Sequence, residues 1–290
     1  MRQNQQKFGG DWTTEKLERV HKYLQEYTKI MKNRNFHFAY IDAFAGTGYR
    51  TYRQDANPNE LMFPEIAEQE VQEFLEGSAR IALQVEPRFQ KYILIEKDEN
   101  RFTELQKLKT EFPSDDIDLV QSDANEYLND LCNKSWRRHR AVLFLDPYGM
   151  EVEWHTIAAI ANTQAIDLWI LFPLGIAVNR LLKTDGDVDP TIREKLNRFF
   201  GTPDWYDTFY ETVSNPTLFG EETVTRKTSD FRSITQYFVE RLQTVFTRVA
   251  NNPLPLYNSK NNPLYLLCFA AGNPKGAPIA VRIAQHILGE

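Results

Sequence analysis

The chain has 290 residues, of which 42% are apolar and 26% are charged, a composition typical of a globular protein with a large core. Its formal net charge of −6 at pH 7 disfavours a protein that binds nucleic acid tightly without regard to sequence, because such proteins neutralise phosphates with a strongly basic surface. The first residues lack the apolar run of a signal peptide, and no segment is long and apolar enough to span a membrane. We therefore expect a cytoplasmic protein with no membrane partner.

The first predicted element is a helix over residues 13–33, capped by Thr13 or Thr14. Its apolar positions follow a spacing of three and four residues, which indicates one buried face: Leu17, Val20, Leu24, Tyr27 and Ile30. Basic residues lie on or near the other side, as a solvated face or a phosphate-contacting one: Lys16, Arg19, Lys22, Lys29 and Lys32.

A strand and a glycine turn come next. The apolar run from Phe36 to Ile41 ends in Asp42 and leads into Ala43-Phe44-Ala45-Gly46-Thr47-Gly48. Glycine lets such a turn tighten and lets backbone N–H groups approach a nucleotide-like ligand. The dinucleotide pattern G-x-G-x-x-G is not completed, since Thr51 stands at its third glycine. An acid before a short glycine turn suits S-adenosylmethionine better, because that ligand has no phosphates and carries a cationic end.

Residues 50–77 read as an inserted loop or lid, polar and irregular, with a short helix predicted around 65–75. The crossover helix that should follow the glycine turn is predicted after this insertion, at Ser78–Leu83. Strands at 92–95, 117–120, 141–145 and 166–172 then alternate with helices, which predicts a mostly parallel sheet covered on both faces.

The remainder breaks this rhythm. Residues 175–229 are predicted as a helical insertion on the substrate side, with one helix at Thr191–Phe200. A helix at 231–246, a hairpin from 247–257 to 264–271 and a final helix at 279–288 complete a single domain over 1–290.

Four successive strands end in a polar signal: Asp42, Glu96, Asp123 and Asp146-Pro147-Tyr148. Ligands of open parallel sheets bind beyond these carboxyl ends, although a single acid there is often a helix cap. Glu96 could accept both ribose hydroxyls of an adenosine, and Asp123 with the Ala124 amide could hold the adenine edge. Asp42 could either steer an α-amino group or order the turn.

The order of FAGTG, IEKD, SDA and LDPYG resembles class I S-adenosylmethionine-dependent methyltransferases. More narrowly, Trp12-Thr13, YIDAFAGTGYR, the insertion and LFLDPYG resemble the three-Cys-motif partner (TcmP) proteins, which implies a separate cysteine-rich partner protein. The resemblance implies a Rossmann-like α/β fold with a mostly parallel seven-stranded sheet, a C-terminal antiparallel hairpin and S-adenosylmethionine as cofactor. It implies these cofactor-binding residues: Asp42, Phe44, Ala45, Gly46, Gly48, Glu96, Lys97, Asp123 and Ala124.

The segment from Ser135 to Tyr148 is also similar to 23S ribosomal RNA adenine-N6 methyltransferases, which carry a DPPY tetrad there. That similarity makes Asp146, Pro147 and Tyr148 the catalytic candidates, with Asp146 and the Pro147 carbonyl accepting the two amine hydrogens. This chain reads Asp-Pro-Tyr-Gly, with glycine at the position of the stacking ring. Either Tyr148 stacks from one position earlier, or the methyl acceptor is not an exocyclic amine.

Three functions therefore stay open: a methyltransferase for an RNA or DNA base, a methyltransferase for another acceptor, and a cofactor-binding module that works with a protein partner.

Two basic runs have no assigned role. Arg137-Arg138-His139-Arg140 reads as a solvated turn, and Asn273-Pro274-Lys275-Gly276 as a turn that could meet phosphate. Cys132 and Cys268 are expected to be free thiols, and with five scattered histidines no metal site is expected.

Overall fold

The computed structural model describes residues 12–45, 77–147, 149–217, 220–258 and 260–290. The helix predicted around 65–75 and nearly all of the 50–77 insertion therefore lie outside the described residues.

The first part of the described chain alternates helices and strands, as the sequence predicts. A long first helix leads into a strand, and each later strand is followed by a helix. The elements are α1 (Trp12–Met31), β1 (His37–Asp42), α2 (Ser78–Leu83), β2 (Lys91–Glu96), α3 (Glu99–Glu111), β3 (Ile117–Gln121), α4 (Ala124–Cys132), β4 (His139–Leu145), α5 (Trp154–Asn162) and β5 (Ile166–Phe172).

After β5 the chain forms a π-helical turn (Leu174–Val178) that continues into a short α-helical turn (Asn179–Leu181). The later elements are α6 (Pro190–Phe200), α7 (Trp205–Phe209), β6 (Tyr210–Thr217), β7 (Gly220–Lys227), α8 (Phe231–Gln243), β8 (Arg248–Val249), β9 (Leu254–Tyr257), β10 (Pro263–Ala271) and α9 (Ala277–Leu288). The insertion over 175–229 is thus only partly helical, because β6 and β7 pair as a separate antiparallel hairpin. Their residues are mostly polar, so they give no apolar alternation from which strands could be predicted.

The central sheet has the strand order β3-β2-β1-β4-β5-β10-β8, and β9 also pairs with β10. Strands β1 to β5 are parallel, whereas β10 runs antiparallel to β5. Ala270 pairs with both Leu168 and Val249, and Leu266 pairs with both Phe172 and Pro255. Strands β8 and β9 therefore share the seventh position, on the side of β10 away from β5. The Rossmann-like fold with a C-terminal antiparallel hairpin (β9–β10) is confirmed.

The strand order reverses between β1 and β4, which lie side by side although they are distant in sequence. A crevice forms beyond the carboxyl ends of the strands at such a reversal, because the flanking helices cover opposite faces of the sheet. We call the side where β1 to β5 finish the carboxyl end of the sheet, and the opposite side its amino end.

Burial of aromatic side chains explains the high aromatic content. Tyr23 of α1 packs against Trp169 and Phe269 on the sheet, with ring centroids 5.4 and 4.8 Å apart. At the carboxyl end of β5, Phe172 stacks on Phe238 of α8 at 4.1 Å, and α6 adds Phe199. This second cluster fixes the insertion to the sheet through apolar burial.

Gly175, in the π-helical turn, lies very close to the start of β10. A Cβ atom built on Gly175 would lie 1.9 Å from the Pro263 carbonyl oxygen. The turn that leaves the carboxyl end of β5 can therefore approach β10 only because this residue has no side chain.

Both cysteines are free, with Cys268 buried and Cys132 half-buried. Burial raises the pKa of the Cys132 thiol to about 12 and raises that of Cys268 as well, so neither is an activated nucleophile.

None of the helices in the described ranges has the length and apolar character that crossing a membrane requires.

Candidate functional site

The candidate site is built by the sheet order itself. Because β3, β2, β1 and β4 are consecutive neighbours, the residues at their carboxyl ends lie side by side. Asp42 is in register with Leu94 of β2 and Phe144 of β4, and Glu96 is in register with Gln121 of β3. The acids at the ends of β1, β2, β3 and β4 thus lie along one end of the sheet, as the sequence predicts.

Asp42 is fully buried and holds the turn after β1. Its carboxylate accepts hydrogen bonds from the Tyr40 hydroxyl at 3.0 Å, the Phe44 N–H at 3.3 Å and the Ser78 hydroxyl of α2. Burial raises the pKa of Asp42 to about 6; these hydrogen bonds oppose the rise, and the negative charge of Asp146 adds to it. Of the two roles open to Asp42, these contacts favour ordering the turn.

Phe44 and Ala45 begin the turn and are both half-buried. The Ala45 N–H donates to the Ile95 carbonyl at 3.0 Å, which fixes the start of the turn against the end of β2. Gly46 and Gly48, the two glycines of the predicted cofactor turn, lie outside the described residues.

Glu96 ends β2 with its side chain almost entirely buried. Its Oε1 accepts the Asp98 N–H at 2.7 Å, and Oε2 lies 3.8 Å from Arg101 Nη1. Asp98 in turn caps α3 by accepting the N–H groups of Asn100 and Arg101. A carboxylate with one oxygen fixed by backbone is held in a defined orientation and can still accept hydrogen bonds from a ribose diol. The residues present at this strand end therefore fit an adenosine-containing cofactor.

Asp123 follows β3 and caps α4, where Oδ1 accepts the N–H groups of Asn125 and Glu126. Its Oδ2 pairs with Lys97 Nζ at 3.1 Å, which links the ends of β2 and β3. The Lys97 ion pair contributes to lowering the pKa of Asp123, whereas partial burial opposes that shift. Ala124 stands at the first position of α4, where an N–H has no partner within the helix.

Asp146 and Pro147 follow β4, and both are already engaged within the protein. Asp146 Oδ2 lies 2.6 Å from Lys16 Nζ, and the Pro147 carbonyl accepts the Gly149 N–H at 3.0 Å. Gly149 has φ +89°, a conformation that glycine adopts without strain. Tyr148 lies outside the described residues. The two groups that adenine-N6 chemistry would use as acceptors thus each have an internal donor.

Lys16 lies on the buried face of α1, so the prediction that it lies on the other side of the helix was wrong. It is fully buried, and its ammonium group lies over the Trp12 ring at 5.3 Å as well as against Asp146. The helical phase carried the signal, since Lys16 precedes Val20 by four residues and Tyr27 by eleven, which places it on the buried face. A lysine is so seldom buried without a partner that this position indicates a buried acid nearby.

Asn125 also has a structural role that the sequence did not indicate. Its side-chain oxygen accepts the Glu153 N–H at 2.9 Å, and its amide nitrogen donates to the Glu151 carbonyl at 2.9 Å. Asn125 thereby ties the start of α4 to the segment that follows Pro147.

Within the described ranges, no group of three or more His, Cys, Asp or Glu residues could hold a metal ion.

No family model matches the sequence, and no curated protein sequence matches it either. Among solved structures, a candidate S-adenosylmethionine-dependent methyltransferase from Listeria monocytogenes is similar over 88% of this chain and 97% of its own, with 13% identity and a TM-score of 0.40.

An S-adenosylmethionine-dependent methyltransferase from Clostridium acetobutylicum is similar over 89% of this chain and 92% of its own, with 10% identity and a TM-score of 0.36. A ribosomal RNA methylase from Streptococcus thermophilus covers 72% of this chain and 95% of its own, with 12% identity and a TM-score of 0.29.

Proposed function

We propose that this chain is an S-adenosylmethionine-dependent methyltransferase whose cofactor lies across the carboxyl ends of β1, β2 and β3. The observation that carries the proposal is the alignment of Asp42, Glu96 and Asp123 on three adjacent strand ends of a sheet with the order β3-β2-β1-β4. When bound, the cofactor supplies an activated methyl group on a cationic sulfur.

The residues of this site would have different roles in binding the cofactor. Glu96 accepts the ribose hydroxyls, a charge-assisted contact of about 1.5–3 kcal/mol per hydrogen bond. Asp123, the Ala124 N–H and Lys97 surround the adenine, and Asp42 holds the turn that begins with Phe44 and Ala45. Gly46 and Gly48 complete that turn in the proposal.

A nucleic acid base, in RNA or DNA, is the proposed methyl acceptor. Support comes from Asp146 and Pro147, which stand at the end of β4 beside the proposed cofactor turn and carry acceptor oxygens for an amine. For Asp146, Oδ1 stays available when Oδ2 is bound to Lys16, so one acceptor oxygen remains for a substrate. Residues 175–229 leave the same end of the sheet through the π-helical turn after β5, which favours a substrate-side position for the insertion.

A second function is favoured by a different observation. The Lys16–Asp146 ion pair and the Gly149–Pro147 hydrogen bond give each of the two candidate catalytic groups a partner within the protein. The exposed hairpin also presents Glu221 and Glu222 and offers little positive charge for phosphates. These features fit a cofactor-binding module that acts with a protein partner, for which the sequence resemblance suggests a cysteine-rich protein.

Calorimetric titration with S-adenosylmethionine tests the cofactor site. We expect Glu96→Gln to weaken binding at least about tenfold, since it replaces a charged acceptor with a neutral amide. Glu99→Gln is the matched control, because Glu99 is an exposed carboxylate three residues further on. Absence of binding to the unmodified protein would overturn the proposal, and equal affinities of the protein and Glu96→Gln would overturn the ribose assignment.

Transfer of a labelled methyl group separates the two functions. The protein is incubated with labelled S-adenosylmethionine and, separately, total RNA, DNA and a small-molecule extract. Incorporation into RNA or DNA that is lost in Asp146→Asn supports the base methyltransferase. Cofactor binding without transfer, together with a protein that co-purifies from the native cell, supports the module.

A further inference from the structure

A cavity lies at the amino end of the sheet, opposite the acids of the candidate cofactor site. Its volume is about 810 Å³, within the range of small-molecule binding sites. It is enclosed by the C-terminal half of α1, the start of β4, the α5–β5 connection and the loop from β10 into α9. Asp167, near the start of β5, lines it, whereas the candidate cofactor site begins where β1 to β4 end.

The two basic sequence runs that had no role meet at this cavity. Arg137 and Arg140 come from the first run and Lys275 from the second, and Arg34 joins them from the end of α1. In the described part of the chain, none of these four side chains lies within ion-pair distance of a carboxylate, although many other cations of this acidic protein are paired. We call these four residues the basic rim. Asp167 also lines the cavity and interacts electrostatically with Arg140, so Arg34, Arg137 and Lys275 are the cations left to form a site for an anion.

The walls of the cavity are aromatic and apolar. Phe36, Trp136 and Tyr27 line it together with aliphatic side chains from α1 and α9. The Arg140 guanidinium lies 4.0 Å from the centroid of the Phe36 ring, and its Nη1 donates to the Trp136 carbonyl at 3.2 Å. Aromatic faces beside a guanidinium plane favour a flat ring over a compact anion such as inorganic phosphate.

The floor carries hydrogen-bonding groups. Asp167 accepts the Tyr23 hydroxyl on Oδ2 at 2.8 Å, and the second carboxyl oxygen is the acceptor left for a ligand. Burial raises the pKa of Asp167 to about 7, while the Tyr23 hydrogen bond and the charge of Arg140 oppose the rise. A flat ring with an N–H edge would supply a donor to the second oxygen of this buried carboxyl group.

We propose that this cavity binds a purine nucleoside monophosphate, with the base against the aromatic wall, its N–H edge on Asp167 and its phosphate at the basic rim. The planar base matches the aromatic wall, its N–H edge matches the Asp167 acceptor, and the phosphate matches the charge of the basic rim. The site is separate from the cofactor site and does not depend on the proposed methyltransferase activity.

Calorimetry with guanosine 5′-monophosphate tests this proposal at pH 8, where Asp167 is mainly ionised. We expect one site per chain with a Kd on the order of 10 µM, and weaker binding of guanosine and of inorganic phosphate. Arg34→Gln and Lys275→Gln should each weaken binding about tenfold. Both residues are exposed, so these variants test the rim without disturbing the core.

Two matched controls should bind the nucleotide as the unmodified protein does. Arg138→Gln removes an exposed cation of the same basic run that does not line the cavity, and Glu96→Gln alters only the candidate cofactor site. The proposal is overturned if the nucleotide fails to bind at 1 mM, a concentration about 100 times the expected Kd. Equal affinity for inorganic phosphate, unchanged binding by both rim variants, or loss of binding in Glu96→Gln would also overturn it.

Discussion

Lys16 and Asp146 are 130 positions apart in the chain, yet Lys16 Nζ lies 2.6 Å from Asp146 Oδ2 with both side chains shielded from water. The first helix therefore supplies a counter-charge to the acid that ends β4. A buried pair of this kind adds little net stability compared with apolar residues, but either partner alone is costly. The contact also makes the chemistry of Asp146 depend on α1.

Removal of the lysine charge tests this contact. We expect Lys16→Met to lower the free energy of unfolding by about 3–5 kcal/mol, because the Asp146 carboxylate is left buried without its partner. The double variant Lys16→Met/Asp146→Leu should recover most of that loss. Urea denaturation of the two single variants and the double variant measures the coupling.

Lys29→Met is the control for this series, because Lys29 is an exposed lysine of the same helix that pairs with Glu26 at the surface. Its free energy of unfolding should change by less than about 1 kcal/mol. Strictly additive losses in the double variant would show that the two charges do not stabilise each other.

The pKa of Asp42 predicts a pH dependence for cofactor binding. The ionised carboxylate of Asp42 accepts the hydrogen bonds that order the proposed cofactor turn, so the affinity for S-adenosylmethionine should rise as pH increases from 5 to 7.5 through the pKa of about 6. Asp42→Asn should bind about tenfold more weakly at pH 7.5 and lose most of this dependence. Calorimetry at four pH values provides the measurement, and a flat profile for the unmodified protein would contradict the assignment.

Asp167 should make the folded protein less stable as pH rises. Its pKa is raised from 3.8 to about 7, so the folded state holds this proton more tightly than the unfolded chain does. The resulting stabilisation is complete below the unfolded pKa and is lost as pH rises through the folded pKa, with a limiting slope of about 1.4 kcal/mol per pH unit. Asp167→Asn keeps an acceptor for Tyr23 but cannot ionise.

The advantage of Asp167→Asn over the unmodified protein should therefore grow between pH 5 and pH 8. Urea denaturation of both proteins across this range isolates Asp167 from the other carboxylates, which are common to the two. A stability difference that stays constant with pH would show that Asp167 titrates in its ordinary range.

A methyl group at Gly175 should destabilise the protein. The added Cβ of Gly175→Ala would lie 1.9 Å from the Pro263 carbonyl oxygen, a backbone atom that cannot rotate away. We expect a loss of about 3 kcal/mol or more in the free energy of unfolding, as for other strongly overpacked sites. At Gly276 an added Cβ has no neighbour closer than 3.5 Å, so Gly276→Ala should be nearly neutral.

The sequence predicts the sheet well because its strands are continuous apolar runs, and β4 and β5 lie where the runs 141–145 and 166–172 place them. The acids at the strand ends could be located for the same reason. The hairpin β6–β7 was missed because its strands are exposed and largely polar, so pairing rather than burial defines them. Lys16 was predicted on the solvated side of its helix because lysine is usually exposed, whereas its helical phase places it on the buried face.

From the sequence, the basic runs at 137–140 and 273–276 were interpreted as two separate turns. Their meeting depends on the antiparallel pairing of β10 with β5, which brings Ala271 opposite Asp167 and delivers the following loop to the start of β5. No local pattern encodes that pairing, since it joins residues about 100 positions apart.

Helix α1 touches both ends of the sheet: Lys16 reaches Asp146 at one end, and Tyr23 reaches Asp167 at the other. The two residues lie only about 10 Å apart along a single rigid rod. A small slide or roll of that rod would alter both contacts at once, so the environments of the two buried acids are mechanically linked through it. If ligands occupy both places, linkage requires that each change the affinity for the other by the same factor.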